Sequence, residues 1–401
     1  MRIAYIAADR GTPVFGSKGA SVHIRAMSTA LARQGHELVL YVAQRGSGEA
    51  ELPAEVIEVA PGLDDADIPA GGEARRRFKE RRARTTAAAI AARLLQDHSR
   101  QPFALIYERY ALFSRAGVDA GAALGIPCVV EVNAPLIEEQ LTHRQLLDRA
   151  LAESIRTAVF SHADHLLPVS DAVLDYCLQH GADPDRVSVV ENGIDAALFN
   201  PQVPPITLEA LSGKQVIGFS GSLKPWHGLE HLLNSFRTIA SGHPERHLLI
   251  VGDGPLRGWI EGYAAGAGLA DQISVTGWVP LEQVPAYLRR MDIAVAPYPP
   301  SDDFYFSPLK LYEYLGCGIA VVASRIGQIA TSLRDGQDAL LVRPGDEQQL
   351  AEALMRLCNR PELRQRLANA AAVTGAQRTW DNNARRLLSI THALTAVRGA
   401  I

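Results

Sequence analysis

Lys310 stands where a cation is unwelcome. The stretch FSPLKLYEYLGCGIAVVAS, residues 306–324, predicts a helix capped by Ser307, with Pro308 at its first position and Gly316 and Gly318 at its end. A buried strand follows over 319–323, and Leu309, Tyr312 and Leu315 give the helix its apolar face. A lysine in the first turn opposes the helix dipole, at a cost of about 0.3–1 kcal/mol unless an anion compensates. A phosphate on the free amides of the helix start would supply that anion. A solvated surface lysine is the competing reading. Glu313, one turn on and on the same side, suits the diol of a ribose, or else an i,i+3 ion pair with Lys310.

The loops after other apolar runs carry chemistry of the same kind. Gly221, Ser222, Lys224 and His227 follow VIGFSG, Gly252 and Gly254 follow LLIV, and Gly277 to Val279 follow ISVT. Asp302, Asp303, Tyr305 and Phe306 lead into the helix. In doubly wound sheets ligands sit beyond the carboxyl ends of the strands. The loops should therefore meet around a nucleoside diphosphate: base near Gly277–Val279, ribose at Glu313, phosphates at Lys224, Lys310 and the helix start. Trp226 and Trp278 flank the base or the acceptor, or else pack in the core. The loop DRGTPVFGSKGASVH offers an opposite wall, its Gly11, Gly16 and Gly19 allowing close backbone approach.

The chain that must position these groups has 401 residues, enough for about two domains. It is 47% apolar and 21% charged, with a net charge of -4, which argues against general nucleic-acid binding. It has no apolar run long enough for a membrane span, and MRIAYIAADR reads as a first strand rather than a signal peptide. Cys128, Cys177, Cys317 and Cys358 are scattered and read as reduced structural residues of a cytoplasmic protein. Short apolar runs alternate with helical patterns, are interrupted by NPQVPPITLEALSGK, and then resume. This predicts two doubly wound α/β domains, 1–195 and 213–379, joined by a linker over 196–212 and facing a cleft. There is no GxGxxG and no GxxxxGK[ST]. The DxD string at 183–185 reads as a turn, and no metal site is expected.

The phrases VVENGIDAALFNP, IVGDGPL, GWVPLEQVPAYLRRMDIAVAPY and ALLVRPGDEQQLAEAL, in that order, resemble the retaining glycosyltransferases of family four. GASVHIRAMSTALARQGHEL is similar to the first helix of that family, and the resemblance covers nearly the whole chain. It implies the GT-B architecture: two Rossmann-like parallel-sheet domains facing a central cleft, the first for acceptor and the second for donor. It also implies a helix over 380–401 that returns to brace the first domain. The activity implied is metal-independent transfer of a sugar from a nucleotide-sugar to an acceptor hydroxyl with retained anomeric configuration. The acceptor would be a sugar, a glycolipid or a small molecule.

Three departures shape what carries over. The first of the family's two glutamates is Tyr305 here, while Glu313 is the second; Asp302, Asp303 or the backbone around Phe306 and Ser307 are the replacements on offer. The family's arginine and lysine after its first donor-domain strand are Ser222 and His227, which leaves Lys224 as the displaced charge. Asn133 stands where many members have a histidine; it cannot move protons near neutrality and would orient the sugar. The mechanism expected is front-side attack, with the leaving diphosphate held by Lys224, Lys310 and the helix start. A sugar-nucleotide 2-epimerase and a non-catalytic nucleotide-sugar binder are the alternatives. Arg75, Arg76, Arg77, Lys79, Arg81, Arg82 and Arg84 load one predicted helix. They form either a patch for peripheral contact with an anionic membrane or a solvated face offsetting Glu73 and Asp64–Asp67.

Overall fold

The computed structural model describes residues 1–16, 18–48, 51–60, 62–63 and 67–399. Its contacts divide the chain into two units, Met1–Asn192 with the segment from Trp380, and Gly193–Thr379. The first sheet contains β1 (Arg2–Ala7), β2 (Glu37–Val42), β3 (Glu55–Glu58), β4 (Leu105–Arg109), β5 (Cys128–Val132) and β6 (His165–Pro168), in the order β3-β2-β1-β4-β5-β6. The second contains β7 (Gln215–Ser220), β8 (Arg246–Val251), β9 (Ile273–Val275), β10 (Ile293–Ala296), β11 (Ala320–Ser324) and β12 (Leu340–Val342), in the order β12-β11-β10-β7-β8-β9. Every pairing between these strands is parallel. In both sheets the order reverses between the first strand and the fourth, at β1/β4 and at β7/β10. Those are the switch points where the crevice of such a sheet opens.

The apolar runs are continuous because helices cover both faces of each sheet. Ile217, Phe219, Val295 and Val322 face one fully buried layer of the second unit, and Val216, Leu249, Ala294 and Val321 the other. The expected linker over 196–212 is no free connector, since Phe199 and Leu211 belong to the second layer beside Leu315 and Tyr312. Its prolines punctuate a packed segment rather than a mobile one.

The helix Leu309–Gly316 lies against the helix Pro361–Gln377. Their closeness depends on Gly375, where an added Cβ would fall 2.4 Å from the backbone nitrogen of Gly316. The expected cap is corrected. The helix begins at Leu309 with Pro308 as its N-cap residue at ψ 97°, and no side chain caps it. The buried Ser307 hydroxyl donates instead to Tyr312 Oη at 3.3 Å, so it is turned away from the helix start. Tyr314 ties the same helix to the sheet: its hydroxyl accepts the Ser220 amide at 2.7 Å, where β7 ends.

In the first unit the middle of the sheet holds a buried carboxylate. Glu131, on β5, receives the His23 ring at 2.8 and 3.0 Å, the Tyr107 hydroxyl, and Arg109 Nη1 at 3.4 Å. Burial alone would raise this carboxyl. The attraction and hydrogen bond of His23, with Arg109 and Tyr107, outweigh it and hold the carboxyl down to about 2. His23 lies on the helix Gly19–Arg33 and stacks against Trp380 with ring centroids 4.4 Å apart. The terminal helix Trp380–Gly399 thereby packs on that first helix.

Two outcomes follow from this packing. Gly375→Ala should cost about 1–3 kcal/mol through overpacking, read from the urea midpoint. His23→Ala strands a buried carboxylate and should cost about 3–5 kcal/mol by the same measurement. Because Glu131 is depressed from an ordinary 4.5 to about 2, its contribution is complete above pH 4.5 and is lost as pH falls through 2. The urea midpoint of the unmodified chain should fall across that acid window by more than that of His23→Ala.

Candidate active site

The second sheet's switch point gathers most of the residues singled out above. β7 ends at Ser220 and the chain turns at Gly221, whose φ of +139° suits glycine. A Cβ there would lie 3.0 Å from Lys310 Nζ, so the glycine leaves the ammonium room. Lys310 keeps partial exposure along its stem, but its Nζ is enclosed and has no hydrogen-bond partner. The nitrogen sits 4.1 Å from the ring centre of Phe219 and 5.4 Å from that of Tyr298, which follows β10. The reading of Lys310 as a solvated surface lysine is therefore corrected, and its Nζ makes no hydrogen bond to Glu313 either.

The electrostatics follow from this enclosure. Burial without a bonded counter-ion lowers the Lys310 ammonium to about 7, with Glu313 restoring only part. Burial raises the Glu313 carboxyl to about 7, with Lys310 pulling it partly back. His227 is lowered to about 4 by burial and by the neighbouring Lys310. Its Nδ1 lies 2.6 Å from the Ser222 carbonyl oxygen, so that nitrogen carries the proton and donates. In the neutral ring Nε2 is then an acceptor. The histidine at the family's lysine position is thus not a substitute cation.

The remaining positions fall around this centre in different ways. Ser222 is exposed and contributes its carbonyl. Lys224 donates its amide to Ser222, while its ammonium lies 5.5 Å from the Trp226 ring rather than joining the enclosed group. Gly252 and Gly254 also serve the fit of two loops. A Cβ at Gly252 would meet the Gly221 carbonyl at 2.1 Å, and one at Gly254 the Leu223 amide nitrogen at 2.7 Å. Gly277 bridges to Gly252, and Val279 packs on the core edge. Trp226 and Trp278 are 54% and 71% exposed, which removes the core reading for both. Tyr305 stacks on Phe306 at 4.5 Å, and Phe306 on Phe304 at 5.5 Å, so aromatic surface stands where the family has its first glutamate. Ser307, Pro308 and Leu309 form the helix entry described above.

In the first unit the predicted positions lie at carboxyl ends of strands. Gly16 accepts Arg25 Nη1 on its carbonyl at 2.8 Å, and Gly19 opens the first helix. Asn133 follows β5 two residues after Glu131, and its amide nitrogen is shielded without a partner. Sequence reasoning missed Glu131, His23 and Arg109, which fix that strand end. It also missed Glu108, whose carboxyl is raised to about 7 by burial although it accepts the Ser114 hydroxyl at 2.5 Å and the Gly117 amide at 2.8 Å. That pairing braces a turn in which Phe113 has a φ of 65°. On the basic helix Gly72–Arg100, Arg77 pairs with Glu73 at 2.5 Å and Arg84 with Asp148 at 3.6 Å. Arg82 is buried against Phe78, and the acidic neighbours at 64 and 65 lie outside the described residues. Among the described residues no helix is long and apolar enough to cross a membrane.

Comparison with known proteins agrees with this fold. The model of Glycosyltransferase Family 4 matches residues 17–198, and that of Glycosyl transferases group 1 matches residues 214–360, one in each unit. The D-inositol 3-phosphate glycosyltransferase of Nocardiopsis dassonvillei is 26% identical over 402 residues, covering 95% of this chain and 90% of the relative. That of Corynebacterium efficiens is 28% identical, covering 95% and 92%. Among solved structures, sucrose-phosphate synthase of Thermosynechococcus elongatus superposes with a TM-score of 0.72 at 19% identity, covering 99% of each chain. HepE of Anabaena, solved with UDP, gives 0.67 at 16% identity and covers 100% of each. Two six-stranded parallel sheets with flanking helices, and a family match in each unit, make the chain a glycosyltransferase of GT-B architecture, a member of family 4 (group 1).

Proposed function

We propose that the chain moves a sugar from a nucleoside-diphosphate sugar to an acceptor hydroxyl with retention of anomeric configuration and without a metal. The observation that carries this is the enclosed, unpartnered Lys310 ammonium at the switch point of the second sheet, beside the first turn of a helix. A buried polar group without a partner calls for one, and an unpaired buried cation most of all. A diphosphate placed there meets Lys310 and the free first-turn amides together. HepE solved with UDP-glucose, and starch synthase IV of Arabidopsis thaliana bound to ADP and acarbose, share the fold and support a nucleotide-linked donor.

In this reading the sugar–phosphate bond breaks as negative charge grows on the leaving diphosphate. Lys310 and the helix amides stabilise that charge, and Lys224 adds a second cation from the loop after β7. The acceptor oxygen attacks on the leaving-group face, and its proton passes to a leaving phosphate oxygen. Glu313 receives the ribose hydroxyls. In this reading the cationic part falls to lysine and backbone. The name shared by the curated relatives favours a phosphorylated cyclic polyol among the small-molecule acceptors.

Two measurements test the reading. A thermal-shift screen against UDP, GDP, ADP, dTDP and their sugars should select one donor. Proton NMR of the transfer product should then show the donor's anomeric configuration. An inverted product would end the front-side mechanism, a 2-epimer formed without acceptor would mark an epimerase, and tight binding without turnover would mark a binding protein. Lys310→Met should lower kcat/KM by about a hundred- to thousandfold, the effect of removing one transition-state donor. Below about pH 7, where the enclosed amine of the free protein is charged, the same variant should melt at a higher temperature, because it removes an unpaired buried charge.

A further inference from the structure

The cluster around Lys310 contains three ionisable side chains behind apolar walls and no bonded ion pair at its centre. The titratable groups facing Nζ are His227 from the loop after β7, Tyr298 after β10, and Glu313 on its own helix. Lys224 on the same loop directs its charge over Trp226. Gly221 leaves a gap beside the nitrogen, and the nitrogen fills it without a hydrogen bond. An ammonium so placed has lost its water and gained only two aromatic faces, so the neutral amine competes with it. A diphosphate arriving beside it reverses that balance.

We propose that nucleotide binding at this site is proton-linked: the diphosphate enters together with one proton taken from solvent, and that proton lodges on Lys310 Nζ. The proposal rests on the donor reading above. His227 does not take the proton, because its burial and the charge of Lys310 beside it both disfavour a second positive charge there. The sign follows from burial lowering Lys310 to about 7 in the free protein. Below that pH the amine is already protonated and little is taken up. Above it the proton must be collected, so uptake approaches one and affinity falls by up to about tenfold per pH unit. The cation is thus fully formed only when its anion is present.

Titration calorimetry tests this with UDP, GDP, ADP and dTDP in turn, at about pH 8, in Tris and in HEPES, which differ in ionisation enthalpy. The expected result is a buffer-dependent heat corresponding to nearly one proton taken up per nucleotide, shrinking at about pH 6. Lys310→Arg, charged at every pH, should bind nucleotide with no uptake. Lys310→Met should bind more weakly, also with no uptake. His227→Gln should retain the uptake. Melting curves show that each variant is folded. Nucleotide binding without buffer dependence in the unmodified protein would overturn the proposal, as would uptake that survives both lysine substitutions or disappears in His227→Gln. Failure of all four nucleotides to bind at any pH would instead remove the donor reading, and this proposal with it.

Discussion

The second unit is organised around an ammonium group that has no partner of its own. Lys310 Nζ reaches the end of β7 because Gly221 has no side chain, and it is walled by Phe219 and Tyr298. An enclosed charge of this kind is unfavourable for the free fold, and such local cost persists only where surrounding structure enforces it. The enforcement is visible. Tyr314 pins the helix to Ser220, and Gly375 lets a second helix press against its far side.

His227 and the loops belong to the same constraint. A lysine in its place would set two ammonium groups within the reach of one pocket; a neutral ring avoids that repulsion while keeping the loop closed through Ser222. The glycines at 252 and 254 let the loop after β8 press backbone to backbone on the loop after β7. The same glycines that invite a ligand's approach also fit these two loops together. Phosphate chemistry and loop packing share the same few residues, so neither can change independently.

The sheets and the misplaced charge of Lys310 were legible because each depends on local pattern: period, run length and the direction of a helix dipole. The cap at Ser307 was misread because its hydroxyl goes to Tyr312, a choice set by packing rather than by spacing. The segment over 196–212 looked like a linker from its prolines, yet Phe199 and Leu211 fill core positions that only the folded unit reveals. Glu131 was invisible for a different reason. It sits inside an apolar strand run, and its partner His23 is 108 residues away in the chain. Nothing local distinguishes a carboxylate with three donors from an accidental one, and the same holds for Glu108.

The route of the backbone has a consequence for synthesis. The chain leaves the first unit at Asn192 and re-enters it at Trp380. While a ribosome is still making the second unit, the nascent first unit lacks its terminal helix, and His23 waits without the indole that covers it. The first unit is therefore the first to emerge and the last to be completed, its terminal helix arriving only after the second unit has been made.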